Sequence, residues 1–489
     1  MLTLDYANCL ADRVGTHGLD PAHLAPGSPL ALAAVHLTER LATTRGTGWE
    51  RWRNLARNPM RDEHLTAVNA IVRECRGKYQ NMVVLGIGGS ALGNIALHAA
   101  LNPTTYNLLP DASRPGPRLF VLDNVDPMYV GAVLDYCQSA GPEATLYNVV
   151  SKSGETAETA AQFMVIRSAL LAQLGDKARD HIVAITDPAK GTMRAICNKE
   201  GYRTLPVPDG VGGRFSALSP VGLFSAAMTG IDITALLDGA DDMDRRCSAP
   251  DLSRNPAAML AALLVELGTT KGKPNHVLMP YSNSLYLLAD WFRQLWAESL
   301  GKQNDVKGQT VYAGFTPIKA LGATDQHSQV QLYREGPNDK VFGLMQIDDF
   351  TTGIGAPPAN AAPGTAGARR GDITIPTGLG VEATAYLEGK SMAVLLNAEK
   401  RATEYALLES QRPNFTIRWP RLDARHVGEF IMLWQIATAY AGLMLNVDAY
   451  DQPAVETGKR ATFGLMGRKG FEEWNQRVNR ALAPTNRVV

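Results

Sequence analysis

The sequence predicts an α/β protein with two doubly wound parallel-sheet domains and helical extensions at both ends. Short continuous apolar runs indicate strands that are covered on both faces, and amphipathic patterns at helical spacing follow them. At 489 residues the chain is also too long for one compact core. The predicted segments are an N-terminal helical segment (1–80), a first α/β domain (81–245), a second α/β domain (246–445) and a C-terminal helical tail (446–489).

Residues 1–80 carry apolar side chains at helical spacing, such as Trp49, Trp52 and Leu55, and predict peripheral helices. The first domain then contains four predicted strands, at 82–85, 119–122, 145–150 and 181–186. Strands that alternate with helices in this way form a doubly wound sheet. Its ligands are expected where the C-terminal ends of the strands meet the helix starts.

A second α/β unit is predicted from about residue 250. Its helices are expected at 257–267, 284–298 and 426–446, with a last helix that runs through Lys459, and its strands at 276–280, 341–345 and 372–375. Between the last two strands, residues 355–371 are rich in Pro, Ala and Gly and have little apolar surface to bury, so they predict a mobile surface loop without chemistry.

The composition narrows the range of partners. Lys and Arg total 48, as do Asp and Glu, so no net field attracts nucleic acid or an anionic membrane. The five cysteines are scattered without a CxxC pair, which favours buried thiols in a reducing cytosol. Neither a signal peptide nor a run of about 18 apolar residues is apparent, so we expect a cytoplasmic protein without a membrane span.

Residues 151–156, with the sequence Ser-Lys-Ser-Gly-Glu-Thr, join a predicted strand to a predicted helix. A helix start offers unpaired N–H groups and partial positive charge, and hydroxyls there can donate to the same anion. The alternative is a capping turn, in which one hydroxyl satisfies the first N–H groups. Three hydroxyls and a glycine exceed what a cap needs, so a phosphate site is favoured.

Residues 86–91, with the sequence Gly-Ile-Gly-Gly-Ser-Ala, follow the first predicted strand and fit the dinucleotide pattern G-x-G-x-x-A. That pattern expects an acid about 20 residues further on to hold a ribose. The nearest candidate, Asp123, lies 32 residues beyond Ala91. The glycines can equally let the backbone approach a sugar or its phosphate, and a nicotinamide cofactor is disfavoured.

Four further residues are candidates for chemistry. Arg214 follows two glycines that allow close approach to a ligand, although most arginines form surface ion pairs. Glu298 ends an apolar helix, where the dipole disfavours a carboxylate; it is either retained for chemistry or an exposed acid. His327 lies in a polar turn that suits proton transfer, or is a solvated loop residue. Lys459 taken alone is an ordinary helix lysine, and no metal-ligand spacing occurs.

Six segments taken together resemble the phosphoglucose isomerase family, in its bacterial form. They are LGIGGSALG, SKSGETAET, GVGGRFSALSPVGL, ESLGK, GATDQHSQVQLYREG and QPAVETGK, in the family's order between residues 85 and 459. Six ordered motifs are far more specific than any one of them. The resemblance implies two sugar-isomerase (SIS) domains with a C-terminal tail. It also implies interconversion of glucose 6-phosphate and fructose 6-phosphate through a cis-enediolate, in glycolysis and gluconeogenesis.

The same resemblance assigns roles to individual residues. It implies that the substrate phosphate is bound by Ser151, Lys152, Ser153, Thr156 and Gln452, and that Gly89 and Ser90 line the sugar pocket. It makes Glu298 the base that moves a proton between C2 and C1, Arg214 the cation that stabilises the enediolate, and His327 with Lys459 the pair for ring opening. An α-hydroxy carbonyl proton is weakly acidic, so these groups match what the reaction needs.

The resemblance also implies a homodimer whose active sites are shared, with the histidine supplied by the neighbouring subunit. Neither a metal nor a redox cofactor is expected, because enediol chemistry requires neither. Two alternatives remain beside this interpretation. One is an isomerase that also accepts mannose 6-phosphate, and the other is a sugar-phosphate-binding SIS regulator without turnover, which could dispense with the four catalytic candidates that this chain retains.

Overall fold

The computed structural model describes residues 1–353 and 372–485. The strands in these residues are β1 Thr3–Asp5, β2 Asn81–Leu85, β3 Arg118–Leu122, β4 Thr145–Val150, β5 Ile182–Thr186, β6 Arg203–Pro206, β7 Asn275–Pro280, β8 Lys302–Asn304, β9 Thr310–Ala313, β10 Thr316–Lys319, β11 Lys340–Gly353 and β12 Asn414–Leu422. The predicted loop 355–371 lies outside the described residues.

The α-helices of the described residues connect or flank these strands along the chain. They are α1 Ala11–Val14, α2 Pro29–Thr44, α3 Met60–Cys75, α4 Leu92–Leu101, α5 Pro127–Ser139, α6 Ala157–Leu174, α7 Thr192–Glu200, α8 Pro220–Met228, α9 Ile233–Arg246, α10 Pro256–Thr270, α11 Tyr286–Leu300, α12 Val330–Glu335, α13 Met392–Glu409, α14 Ala424–Met444, α15 Val455–Leu465 and α16 Glu472–Ala481.

The first sheet has the strand order β3-β2-β4-β5-β6, and all its neighbouring strands are parallel. Every residue of β2, β4 and β5 is buried, because apolar clusters cover both faces of the sheet. The chain leaves β2 for β3 on one side and returns to β4 on the other. The predicted doubly wound sheet is therefore confirmed, with its switch point between β2 and β4.

The second sheet has the order β1-β12-β11-β7-β10, with β1 antiparallel and the other strands parallel. The predicted strand at 372–375 is wrong, because only Thr374 forms an isolated bridge there and Ile373 is 48% exposed. The strand that pairs with β11 is instead β12, where Phe415, Ile417 and Trp419 are buried. Pairing with β11 and burial of the strand from Asn414 to Ile417 outweigh the short apolar pattern of the earlier segment.

The N-terminal segment is mostly helical, as predicted, but it is not peripheral throughout. Its first strand, β1, joins the second sheet, and Trp52 and Leu55 are fully buried in the core that both sheets share. Helix α14 is long and apolar enough to span a membrane by length and composition, yet 89% of its most apolar window is buried inside the protein, as in a core helix. The division at residues 80, 245 and 445 stays a prediction.

The topology brings three loops to one place. Strands β2 and β4 are neighbours, with Leu85 opposite Val149, so the turns that follow them emerge side by side at the C-terminal edge of the first sheet. The loop before α8 packs against the first of these turns, and the C-terminal end of α11 lies beside it. Loops that follow strands of the first sheet and the helix that follows β7 thus meet at the edge where ligands of such folds bind.

Candidate active site

A cleft of about 800 Å³ opens at this edge of the first sheet. Among the predicted site residues, it is lined by Gly89, Lys152, Thr156, Arg214, Glu298, Gln452 and Lys459. These residues are far apart along the chain. They lie in the turns after β2 and β4, in the loop before α8, in α11, and in α15 and the segment that leads into it. The fold therefore assembles in one cleft the positions that the sequence motifs singled out, apart from those described below.

Arg214 is the centre of this cleft. Its side chain is buried, and its Nη1 donates to Oε1 of Glu298 at 3.3 Å and to Oε1 of Gln452 at 2.9 Å. Its Nε donates to Oγ of Ser299 at 2.8 Å, and its Nη2 donates to the carbonyl oxygens of Ala449 (2.7 Å) and Asp451 (3.0 Å). All five guanidinium N–H groups are thus engaged by the protein itself.

Burial lowers the pKa of Arg214 from its usual value, while the nearby Glu298 and Asp451 carboxylates oppose this shift. A guanidinium titrates so far above neutrality that it keeps its charge. The cleft therefore holds a permanent, buried positive charge beside a carboxylate.

The close approach of two glycine loops positions Arg214. A Cβ on Gly89 would lie 2.1 Å from the carbonyl carbon of Gly213, so only glycine allows this contact. By sequence, the glycines of residues 86–91 can admit either a sugar or its phosphate. At Gly89 the space is taken by the backbone that carries Arg214. Gly88, in contrast, has φ +59°, in the left-handed region that favours glycine.

Glu298 lies in the last turn of α11, and its carboxylate is 26% exposed to the cleft. Its Oε2 accepts a hydrogen bond from Nε2 of Gln294, one helical turn earlier, at 3.0 Å. The ammonium of Lys302 donates to the carbonyl oxygens of Glu298 and Ser299, which are left free at the helix end. This cation offsets the unfavourable helix dipole that the sequence position of Glu298 suggested.

The predicted phosphate loop forms a tight turn before α6. The Ser151 hydroxyl accepts the N–H of Gly154 at 3.0 Å, and the Ser153 hydroxyl accepts the N–H of Glu155 at 3.1 Å. A hydroxyl that accepts in this way keeps its own hydrogen for donation. Thr156 is the N-cap residue of α6 and makes no side-chain capping bond, so its hydroxyl and the first N–H groups of α6 remain open.

The C-terminal tail forms the opposite wall. Gln452 is held by Arg214, and α15 begins three residues later. Lys459 lines the cleft from α15, with its ammonium 2.8 Å from Oε1 of Glu456. Both side chains of this pair are about half exposed, so the ion pair is readily exchanged for a ligand.

Four of the predicted site residues do not line the cleft of a single chain. His327 is exposed and follows a short 3-10 turn after β10. Ser90 ends the 3-10 turn that precedes α4, and Ser151 and Ser153 use their hydroxyl oxygens inside the phosphate loop. Their roles in binding or catalysis stay predictions.

Several residues that complete the cleft were not identified from the sequence. Ser299 and Gln294 hold the Arg214–Glu298 pair, and Trp49 lines the cleft from the N-terminal segment. The spacing of Gln294 and Glu298, four residues apart on one helix, was an available signal. Nothing in the local sequence pointed to Trp49, because its neighbours in the cleft are distant along the chain. Within residues 1–353 and 372–485, no three His, Cys, Asp or Glu side chains converge as metal ligands.

The doubly wound fold, the hydroxyl-rich helix start and the contact between the buried Arg214 and the partly exposed Glu298 define an α/β protein with a cleft suited to an anionic ligand. Comparison with known proteins narrows this class. The family model described as phosphoglucose isomerase matches residues 67–465. The chain belongs to the phosphoglucose isomerase family.

Individual relatives agree with this assignment. A glucose-6-phosphate isomerase of Carboxydothermus hydrogenoformans is 43% identical over 417 residues, which cover 85% of each chain. One from Rubrobacter xylanophilus is 41% identical over 96% of this chain and 99% of its own. A crystal structure titled hypothetical protein TT0462, from Thermus thermophilus, superimposes with a TM-score of 0.79 at 36% identity, covering 96% of this chain and all of that one.

Proposed function

We propose that the cleft around Arg214 and Glu298 interconverts glucose 6-phosphate and fructose 6-phosphate, the aldose–ketose isomerisation of the family to which the chain belongs. The observation that carries this proposal is the contact between a buried guanidinium and a cleft-facing carboxylate, 3.3 Å apart, in the cleft that the phosphate loop also lines. A base and a fixed positive charge are the two groups that enediolate formation requires.

The phosphate group of the substrate binds at the start of α6 in this proposal. Thr156 offers a hydroxyl that makes no capping bond, Lys152 lines the same cleft, and the first N–H groups of the helix point toward an anion there. The hydroxyl hydrogens of Ser151 and Ser153 remain available, since both oxygens act as acceptors within the loop. A dianionic phosphate thereby meets one ammonium and several neutral donors.

Glu298 is the proposed base that carries a proton between C2 and C1. Gln294 orients its carboxylate, and Lys302 neutralises the end of the helix that bears it. Arg214 has no free donor before the substrate binds, and its bond to Glu298 is the longest of its five contacts. We propose that this Nη1–H turns from Glu298 to the enediolate oxygen as the carboxylate takes up the proton.

His327 and Lys459 are the proposed pair for ring opening, in an active site shared between the subunits of a homodimer. Lys459 lines the cleft, whereas His327 of the same chain is exposed and lies outside it. A second subunit that presents its own His327 to this cleft accounts for both positions. We also place the enzyme in the cytoplasm, in glycolysis and gluconeogenesis; its five free, buried cysteines suit a reducing compartment.

The first experiment replaces the proposed base. We expect Glu298→Gln to lower kcat for fructose 6-phosphate by about 10²- to 10⁴-fold, because the general base is removed, while calorimetry detects binding close to that of the unmodified protein. Glu39→Gln, a change at a side chain that is 66% exposed, is the matched control. Near-normal turnover by Glu298→Gln would refute the role of Glu298, and mannose 6-phosphate assayed in parallel measures epimer discrimination.

A second experiment tests the shared site. His327→Ala and Glu298→Gln proteins, each inactive, are mixed under conditions in which subunits exchange. If one subunit supplies the histidine and the other the base, a fraction of the mixed dimers has an intact site and activity returns. If exchange is demonstrated by mass and no activity returns, each site is complete within one chain.

A further inference from the structure

The exposed indole of Trp49 stands at the wall of the cleft. This residue belongs to a 3-10 helix, Gly48–Asn54, in the N-terminal segment, and its side chain is 50% exposed. It is far in sequence from the phosphate loop, yet it lines the same cleft as Lys152 and Thr156. A large aromatic side chain left half exposed in a ligand cleft is a candidate for ligand recognition.

Three contacts fix the 3-10 helix to the loop that carries Arg214. Gly210 packs so tightly that a Cβ on it would lie 2.1 Å from the carbonyl oxygen of Gly48. Arg51 forms an ion pair with Asp209 at 3.1 Å. The ring of the fully buried Trp52 stacks on that of Phe215, the residue after Arg214, with the centroids 5.0 Å apart. The position of Trp49 is therefore set by the same framework as the catalytic guanidinium.

The Lys152 ammonium lies over the Trp49 ring, 5.2 Å from its centroid. This distance is within the range of a cation–π interaction. The Lys152 charge also lowers the pKa of Asp187, but two backbone N–H groups, of Ala189 and Lys190, contribute more to that shift and bind the Asp187 carboxylate. Among the described residues, the Trp49 ring is thus the partner at contact distance that the structure assigns to this ammonium.

We propose that Trp49 is a positioning residue for the substrate phosphate, which acts by holding the Lys152 ammonium at the phosphate end of the cleft. A free lysine side chain loses considerable rotamer freedom when it binds an anion. The indole face limits that freedom before the ligand arrives, and it leaves the ammonium hydrogens that point away from the ring free to bind phosphate oxygens. This inference rests on the proposed function, because it concerns the phosphate end of the same cleft.

The role predicts a specific kinetic pattern. Trp49→Leu keeps apolar bulk but removes the π face, and we expect KM for fructose 6-phosphate to rise about 3- to 30-fold, the range that corresponds to a cation–π contact. The value of kcat should change by less than about 2-fold, since Glu298 and Arg214 are untouched. Trp49→Phe retains a π face and should recover most of the loss.

A double-mutant cycle shows whether the effect passes through Lys152. In a Lys152→Met background, which has no ammonium, Trp49→Leu should raise KM by less than about 2-fold further. Tyr136→Leu is the matched control, since Tyr136 is 46% exposed and lies under Arg118 away from the cleft. If Trp49→Leu has the same effect with and without the ammonium, the indole acts on the substrate directly and the proposal is wrong.

Binding measurements separate this proposal from the proposed function. Calorimetry of fructose 6-phosphate binding in the Glu298→Gln background measures the dissociation constant without turnover. Tryptophan fluorescence reports the environment of Trp49, once the signal of the Trp49→Phe variant, which comes from the other tryptophans, is subtracted. We expect weaker binding in Trp49→Leu and a fluorescence change that Trp49→Phe lacks. Absent turnover in the unmodified protein would refute the proposed function, whereas an unchanged dissociation constant in Trp49→Leu would refute the role of Trp49.

Discussion

Replacement of Arg214 by lysine tests the central contact of the cleft, because it keeps the positive charge and removes the planar fork. Arg214 donates to five acceptors, which are Ser299 Oγ, Glu298 Oε1, Gln452 Oε1 and the carbonyl oxygens of Ala449 and Asp451. An ammonium has three donors and reaches less far. At least two of these acceptors therefore lose their hydrogen bond in Arg214→Lys.

The expected cost follows from this count. Two of the five acceptors, Ser299 Oγ and the Ala449 carbonyl oxygen, lie in buried contacts, whereas the contacts to Glu298, Gln452 and Asp451 are only partly buried. A buried acceptor without a donor costs about 1–3 kcal/mol, so we expect the free energy of unfolding to fall by about 1–6 kcal/mol. Domains of this kind are stable by only about 5–15 kcal/mol, so the change is large. The loops that carry Gln452 and Glu298 also lose their common anchor, and we expect kcat to fall by about 10²- to 10³-fold, as when one donor to a developing oxyanion is removed.

Urea unfolding followed by circular dichroism, at one protein concentration for all variants, measures the stability change. An assay that couples the formation of glucose 6-phosphate from fructose 6-phosphate to a dehydrogenase measures kcat. Arg245→Lys is the matched control, because the Arg245 side chain is 72% exposed and pairs with Asp241 on the surface of α9; it should change stability by less than about 0.5 kcal/mol. An unchanged free energy of unfolding in Arg214→Lys would show that the five contacts contribute little to stability, and it would refute this prediction.

Two further predictions concern packing and pH. Gly89→Ala should lower the free energy of unfolding by about 1–3 kcal/mol and should also lower kcat, because its Cβ would press on the Gly213 backbone. Gly131→Ala is the control, since nothing lies within 4 Å of a Cβ at that position. Equal stability and kcat in the two variants would contradict the close contact. Burial lowers the pKa of His276 to about 3. Below pH 6.5, His276 binds a proton in the unfolded chain but not in the folded protein. This residue should therefore lower the free energy of unfolding by about 1.4 kcal/mol for each pH unit. His276→Gln should reduce this slope in urea unfolding between pH 6.5 and 4.5, and parallel curves would refute it.

Much of the first sheet could be predicted because its strands are buried on both faces. The run at 82–85 is continuously apolar, and the run at 145–150 is apolar except at Thr145 and Asn148; such runs leave few alternatives to a strand in a parallel sheet. The loop at 151–156 could be predicted equally well, because its hydroxyls lie at the start of a helix, α6, whose sequence pattern is recognisable. These signals are local, and a single sequence contains them in full.

The second sheet was less predictable. Strand β12 contains Arg418 and Pro420 and lacks a continuous apolar run, so its character depends on pairing with β11 and β1. The segment 372–375 has a strand-like composition, but within the described residues it forms only an isolated bridge, between Thr374 and Ser391, and joins neither sheet. Pairing partners lie far away along the chain, and local periodicity does not encode them.

The sequence by itself determined which residue types could perform the chemistry: a hydroxyl-rich helix start, an arginine after two glycines and a carboxylate at a helix end. Only the tertiary structure decided what each of them touches. It filled the space beside Gly89 with the Gly213 backbone, engaged every donor of Arg214 and brought Trp49 to Lys152. Such contacts join residues that are up to 238 positions apart, as between Arg214 and Gln452. These contacts form only once the packed core has fixed the positions of the loops, so no local sequence pattern predicts them.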